Sequence, residues 1–399
     1  MESWKRTYWA IWFSNLITAV GMMSILPFFS SHLETLGMTD RASIAVWTGV
    51  IFGAAPLLAA ITGPFWGALG DRYGRRLMVV RSMMAIVIFV GAMRWASSPW
   101  ELLALRMAQG VFSGFYPPSI TLVSTQAPAD QQGRLAGSLA TGMIWGGILG
   151  PLFGELLRAQ VGVQDVYLGV SLLAALAVVV VMLFVREDHA TRQSSKRRAT
   201  PLRDLRELRG NSELRSAVVL LFWIQFALGS STPQLELYVR DLDSRWLVPS
   251  TAALFSVLAA ANLLAMSRWG RVGDLRGHHR ALLQCTFWTG AALLLHALAP
   301  DYEVLLVARV LLGLAAAGSS PLAFGVAAAG TPVERRGGAF GVVFSARALA
   351  GALSAMAGGW ISASIGVRGL FCVGALVVWS QLWRYRPRPG SPSSPGAGS

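Results

Sequence analysis

Chemistry has few places to reside in this chain. Seven ionisable side chains interrupt the interior of its long apolar runs: Arg94, Arg106, Glu155, Glu236, His296, Arg309 and Arg347. A charge inside hydrocarbon costs free energy unless it faces a partner, a water-filled path or a ligand, so each is a functional candidate by position alone. Arg94 and His296 fall near the ends of their runs and are expected to snorkel to the interface. Glu155, Glu236 and Arg347 are candidates to line a cavity. The two cysteines, Cys285 and Cys372, each lie in an apolar run, which excludes a disulfide framework and any multi-cysteine metal site. No nucleophile–base pair, His/Asp metal spacing or phosphate loop occurs, so neither an enzyme nor a resident cofactor or metal is expected.

A second set of candidates lies between runs. Gly67-Ala-Leu-Gly-Asp71-Arg72-Tyr-Gly74-Arg75-Arg76 is a short charged hinge in which one aspartate sits among Arg72, Arg75, Arg76 and Arg81. Glycine permits a tight turn there. Asp71 can accept hydrogen bonds from arginines or from helix N-termini, so the stretch reads as a conformational latch. A third set lies within a run: Gly142, Gly146, Gly150-Pro151 and Gly154-Glu155. Glycines four apart share one helix face and allow close helix packing, and Pro151 bends the helix.

The elements that must position these residues follow from composition. The 399 residues are 54% hydrophobic and only 14% charged, whereas soluble domains carry roughly 25% charged residues. Apolar runs of roughly 20 residues span a bilayer, and twelve are present: 8–30, 46–69, 77–97, 101–123, 136–157, 166–185, 217–239, 249–267, 281–299, 303–326, 339–362 and 368–384. The net charge of +14 does not indicate nucleic acid, because the basic residues are dispersed between runs. With the N-terminus inside, 25 Lys and Arg fall on the cytoplasmic side and 5 opposite, which places both termini in the cytoplasm. The first run follows a basic start without a small-residue cleavage site, and an uncleaved helix is expected.

The spans divide six and six. Residues 1–185 and 217–384 form two six-helix halves, joined by a basic cytoplasmic linker, 186–216, that suits topology control or contact with anionic lipid head groups. A helix on the membrane surface at 201–209 fits either role. The segment 385–399 is rich in Pro, Gly and Ser, and disorder is expected there. Gly67, Asp71 and Gly74 recur as Gly270, Asp274 and Gly277, 203 residues later, and Arg106 and Gly110 recur as Arg309 and Gly313 at the same offset. Two parallel repeats around a midplane site are the arrangement of rocking transporters.

The form G-x-L-x-D-R-x-G-R-R between the second and third spans closely resembles the signature loop of the major facilitator superfamily, with Asp274 in a degenerate second copy. Arg106-Met-Ala-Gln-Gly110 resembles the family's second motif, which implies a part for Arg106 in proton coupling. Gly146, Gly150, Pro151 and Gly154 resemble the antiporter motif of its drug exporters, except that Glu155 stands where a glycine is usual. The chain departs from the family pattern at Gln126, where an acid often completes the loop's charge network, and in span 8–30, which lacks a carboxylate. The resemblance implies an all-α polytopic membrane protein with the major facilitator fold. It also implies a monomeric secondary transporter of the bacterial inner membrane that exports amphipathic small molecules in exchange for protons. The proton-coupling candidates are then Arg106, Glu155 and Glu236. Candidates for the substrate cavity are Met22, Phe115, Tyr116, Trp145, Gln225 and Arg347, since Met and aromatic surfaces suit varied apolar ligands. An uptake carrier for a sugar or small metabolite is the alternative reading.

Overall fold

The computed structural model describes residues 3–128, 131–187, 211–248, 250–331 and 336–385. The surface helix expected at 201–209, nearly all of the basic linker, and the tail beyond Tyr385 lie outside the described residues. The first half contains α1 (Ser3–Ser24), α2 (Phe29–Thr35), α3 (Arg41–Tyr73), α4 (Arg75–Ala85), α5 (Pro99–Val111), α6 (Tyr116–Gln126), α7 (Gln132–Val161) and α8 (Val163–Phe184). The second contains α9 (Ser212–Ser231), α10 (Leu235–Val239), α11 (Thr251–Arg276), α12 (His278–Leu298), α13 (Tyr302–Ala316), α14 (Ser319–Ala329) and α15 (Arg336–Arg384).

Among the described residues, ten helices are long and apolar enough to cross a membrane. One of them, Gly338–Arg384, turns at Gly366, where a φ of 76° ends one crossing and begins the next. The helices α5 and α6 make one further crossing together, which completes the twelve expected spans.

Four spans are broken where the sequence suggests continuous helix; the seventh breaks at 232–234, between α9 and α10. The first breaks after Ser24 and passes through a turn at Leu26–Phe28 before α2 resumes. The fourth breaks between Val111 and Tyr116, with Gly114 at φ 109°. The tenth breaks at Ala317–Gly318. A broken helix frees backbone carbonyls, and in a membrane protein neighbouring side chains must satisfy them. Trp66 donates its indole N–H to the Val111 carbonyl at 2.6 Å, and Thr62 donates to the same oxygen at 3.0 Å. Arg81 reaches the Ser113 carbonyl at 3.2 Å while its guanidinium lies 3.6 Å from the Trp66 ring centre. In the second half Trp269 donates to the Leu314 carbonyl at 2.8 Å. Trp66 and Trp269, like Val111 and Leu314, are 203 residues apart, so the sequence repeat is also a structural one.

Helix ends gather at two faces of the bundle. One, the termini face, carries Ser3, Tyr73, Gln126, Phe184, Arg276 and Arg384; the opposite, far face carries Thr35–Arg41, Val239–Thr251 and Leu298–Tyr302. At the far face, Asp40, Ser98, Ser250 and Asp301 each cap a helix start by accepting a backbone N–H three residues on. Hydrogen bonding to Ser43 holds the Asp40 carboxyl below the usual carboxylate range.

The two halves are joined toward the far face. A Cβ on Gly53 would lie 2.9 Å from the Ala352 carbonyl oxygen, and one on Gly359 would lie 2.7 Å from that of Ala45. Contacts this close require glycine. Toward the termini face the situation reverses: Gly63, Gly67, Gly137, Gly270, Gly341 and Gly351 have nothing within 4 Å of such an atom. Among the described residues the polar contacts between the halves also lie toward the far face, so the halves part toward the face that carries the termini.

Candidate transport site

The signature loop is built at the junction of α3 and α4. Gly74, at φ 104°, ends α3 through its own N–H to the Gly70 carbonyl. That conformation favours glycine. Its repeat, Gly277, adopts φ 86° between α11 and α12. Arg75 pairs with Asp71 one turn back. The carboxylate of Glu187 accepts the backbone N–H groups of Arg75 and Arg76 at 2.8 and 2.9 Å, capping the start of α4. Arg76 also donates to the Met182 carbonyl at 2.6 Å, and Arg72 lies against the Tyr73 ring. Gln126 donates to the Arg186 carbonyl at 2.8 Å instead of supplying an acid. Glu187 thus brings a carboxylate to the loop from the start of the linker. Its signal in the sequence was the acidic pair Glu187-Asp188 just beyond the sixth span. Asp274 is exposed and stands 3.4 Å from His278 Nε2, a pair that forms fully only when that imidazole is protonated.

The glycines of α7 form a seam against α1. A Cβ on Gly150 would meet the Val20 carbonyl and Met23, and one on Gly154 would fall on the Ser24 carbonyl. Gly146 faces Ala19 in the same way, and the Ser24 hydroxyl bonds the Gly150 carbonyl at 2.9 Å beside Pro151. The seam has a counterpart in the second half, where Gly358 faces the Ser230 carbonyl. Glu155, at the far end of the seam, accepts the Ser250 hydroxyl of the other half at 2.5 Å.

Glu236 is buried between the halves rather than in the central space. It accepts the backbone N–H groups of Ser30 and Ser31 at 3.0 and 3.2 Å, the Ser31 hydroxyl, and Arg240 at 3.0 Å. It therefore caps α2 from the opposite half. Arg240 also pairs with Glu34, Arg41 pairs with Asp241, and Gln234 donates to the Ala45 carbonyl at 3.1 Å. Beside this clamp lies a cavity of about 300 Å³ lined by Ser31, Glu155, Arg158, Glu236 and Arg240 among others. Glu155 and Glu236, distant in sequence, share that cavity.

Arg106 does not snorkel. It is buried, with Nη1 3.0 Å from Gln109 Oε1, Nε 3.4 Å from the Ile51 carbonyl, and its guanidinium over the Phe29 ring. Arg309 is buried as well, and His296, expected at the interface, is fully buried with Nδ1 2.7 Å from the Ala292 carbonyl. Arg94 meets the interfacial expectation by pairing with Asp165.

The cavity candidates separate. Arg347 of α15 is solvent-exposed yet close enough to Tyr116 of α6 to interact with it electrostatically across the central space. Trp145 is 44% exposed. Gln225 is half-buried and turned 3.4 Å toward Ser319 of its own half. Met22 and Phe115 pack against the core.

One buried polar group escaped the sequence reading. His32 of α2 is fully buried, with Nδ1 2.7 Å from the Tyr167 hydroxyl. It lies just beyond the span expected at 8–30, in what reads as a connecting loop, because the break in the first span lengthens that crossing to Thr35.

This architecture has relatives. The Major Facilitator Superfamily profile matches residues 11–283 and 245–399. Multidrug resistance protein MdtG of Proteus mirabilis (strain HI4320) is 32% identical over 389 residues, which covers 96% of this chain and 95% of that protein. The same-named protein of Serratia proteamaculans (strain 568) is 33% identical over 378 residues, covering 94% and 92%. Among solved structures, a bacterial homolog of the human lysosomal transporter Spinster, inward-facing and unoccupied, superimposes with a TM-score of 0.75 at 14% identity over 96% of this chain and 95% of that one. The nucleoside transporter NupG does so with 0.74 at 13% identity over 95% and 98%. With the repeated half, the broken fourth and tenth spans and the glycine-turned loop, these matches show that the chain belongs to the Major Facilitator Superfamily.

Proposed function

We propose that this protein exports amphipathic small molecules across the bacterial inner membrane in exchange for protons, as a monomer with both termini in the cytoplasm. The observation that carries the reading is the asymmetry between the faces. The halves are clamped at the far face by Glu236, Arg240 and Arg41 and parted at the termini face. The strong excess of Lys and Arg on the termini side supports an opening toward the cytoplasm. Residues 1–185 would then rock against 217–384 about the central space. The Asp71 loop would close the inner face in the opposite state, with Asp274 in the matching loop. The name of the MdtG relatives supports drug export over metabolite uptake.

Exchange has the drive it needs. Each proton entering brings about 2.3 kcal/mol per 100 mV of membrane potential. Arg106, Glu155 and Glu236 remain the residues through which coupling would act. A drug-susceptibility panel in an efflux-deficient host, with and without a protonophore, tests the reading. Protection abolished by the protonophore is expected; unchanged susceptibility on expression of the chain would overturn it.

A further inference from the structure

We propose that His32 is a proton-binding site whose occupancy is tied to opening of the far face. It is neutral while that face is clamped and protonated when the face opens. The proposal deepens the exchange reading above and rests on it only for the direction in which the proton then travels.

The geometry at His32 is specific. The ring is fully buried; Nδ1 engages the Tyr167 hydroxyl, and Nε2 is buried without a hydrogen-bond partner among the described residues. An imidazolium carries N–H at both nitrogens. Its Nε2–H would therefore point at no acceptor, and a buried unmet donor on a charged group is strongly unfavourable. The neutral ring avoids that cost when Nδ1 donates to the Tyr167 oxygen and Nε2 carries no proton.

The nearest cation acts in the same direction, and the nearest anion, Glu236, is largely offset by Arg240. From α8 comes Tyr167, itself buried, and from α5 comes Arg106, close enough to Tyr167 for electrostatic interaction. The cation Arg106 forms no ion pair among the described residues; its partners are Gln109, the Ile51 carbonyl and the Phe29 ring. On α3 the near side chain is the uncharged Thr48, bonded to Ser30, while Arg41 at its start is committed to Asp241. On α2 itself Glu34 is held by Arg240. The carboxylate facing this segment is Glu236, and its acceptor capacity goes to Ser30, Ser31 and Arg240. The clamped state thus supplies an uncompensated cation and a dry ring nitrogen, both opposed to a second positive charge.

Opening changes the ring's solvation, and that gain must exceed the loss of the nearby Glu236 charge, since Arg106 shares a half with His32 and stays in place. Glu236 belongs to the other half, so parting the far face withdraws it from Ser30 and Ser31, two residues and one residue before His32. Water then reaches the ring, and one proton from external water completes the imidazolium, with Nδ1–H toward the Tyr167 oxygen and Nε2–H toward solvent. Reclosure returns that proton to water. In the exchange reading, it leaves through the space open to the cytoplasm.

The test is a distance measurement that needs neither substrate nor transport. Spin labels go on Thr39→Cys and Trp246→Cys, at exposed positions on the far-face loops of the two halves, in the full chain with Cys372→Ala, Cys285 being buried. In lipid nanodiscs the open-face share should rise several-fold as pH falls from about 8 to about 5, the range of an imidazole. His32→Gln should lose that rise, whereas Glu236→Gln should keep a pH response on an already more open population. Tyr167→Phe, which removes only the hydroxyl, should shift the midpoint. A full pH response in His32→Gln, or an unchanged midpoint in Tyr167→Phe, would overturn the proposal. A His32-dependent shift in a chain that exports no drug would sink the exchange reading and leave this site standing. Protonophore-sensitive export without the shift would do the reverse.

Discussion

Trp66 and Val111 are joined by a 2.6 Å hydrogen bond from indole N–H to carbonyl, at the point where the fourth span breaks. The bond recurs between Trp269 and Leu314 in the second half. Each break is therefore bracketed within its own half. Trp66→Phe keeps an aromatic side chain, smaller than indole, and deletes the donor, leaving Thr62 alone on that oxygen. A loss of about 1 kcal/mol is expected, read as a lowered melting temperature in detergent. Trp269→Phe should cost a similar amount, and the two losses should add. No change in either variant would remove the bracket from the account.

The signature loop offers a separation of roles. Glu187→Gln removes the charge that caps α4 and should cost about 0.3–1 kcal/mol of stability while transport continues. Asp71→Asn should abolish transport at unchanged membrane expression, because the proposed closure of the inner face needs that carboxylate. Full drug protection by Asp71→Asn would exclude the loop from the cycle.

The glycine seam gives a steric prediction. Gly154→Ala would drive a methyl group onto the Ser24 carbonyl, so α1 and α7 must move apart. Overpacking of this kind costs roughly 1–3 kcal/mol. Reduced expression and lost export are expected. Gly37, with φ 87° but open space around it, should respond to Ala through backbone strain alone.

The far-face clamp can be tested by charge exchange. Arg41→Glu sets like charges opposite Asp241 and should favour the opened face, slowing return of the carrier. Adding Asp241→Arg should restore the pair and most of the export rate. A double variant no better than the single one would mean the pair does not set the equilibrium.

Arg347 tests the central space. It faces Tyr116 and is solvent-exposed. Arg347→Gln should change the relative protection against charged and uncharged drugs in a susceptibility panel at equal expression. A uniform change across the panel would assign it to structure instead.

The spans and the repeat were legible because apolar run length and the spacing of charged and small residues report directly on the bilayer. The breaks were not. Gly114 resembles any helical glycine in an apolar run, although Pro117-Pro118 just after it remove two backbone donors and were the available signal. Glu155 and Glu236 were recognised as unusual, but their meeting at one far-face cavity depends on how the halves dock, which no local pattern encodes. Glu187 and His32 were hidden for a simpler reason. Both lie just past the apolar runs, where a charged or polar residue reads as an ordinary loop.

Six glycines, Gly63, Gly67, Gly137, Gly270, Gly341 and Gly351, stand inside long helices with no neighbour to accommodate. Each forgoes about 1 kcal/mol of helix propensity relative to alanine, and nothing in this conformation returns it. Their positions trace, in negative relief, a contact surface that another conformation would fill. The shape of the bundle with its termini face closed is in that sense already cut into the one with that face open.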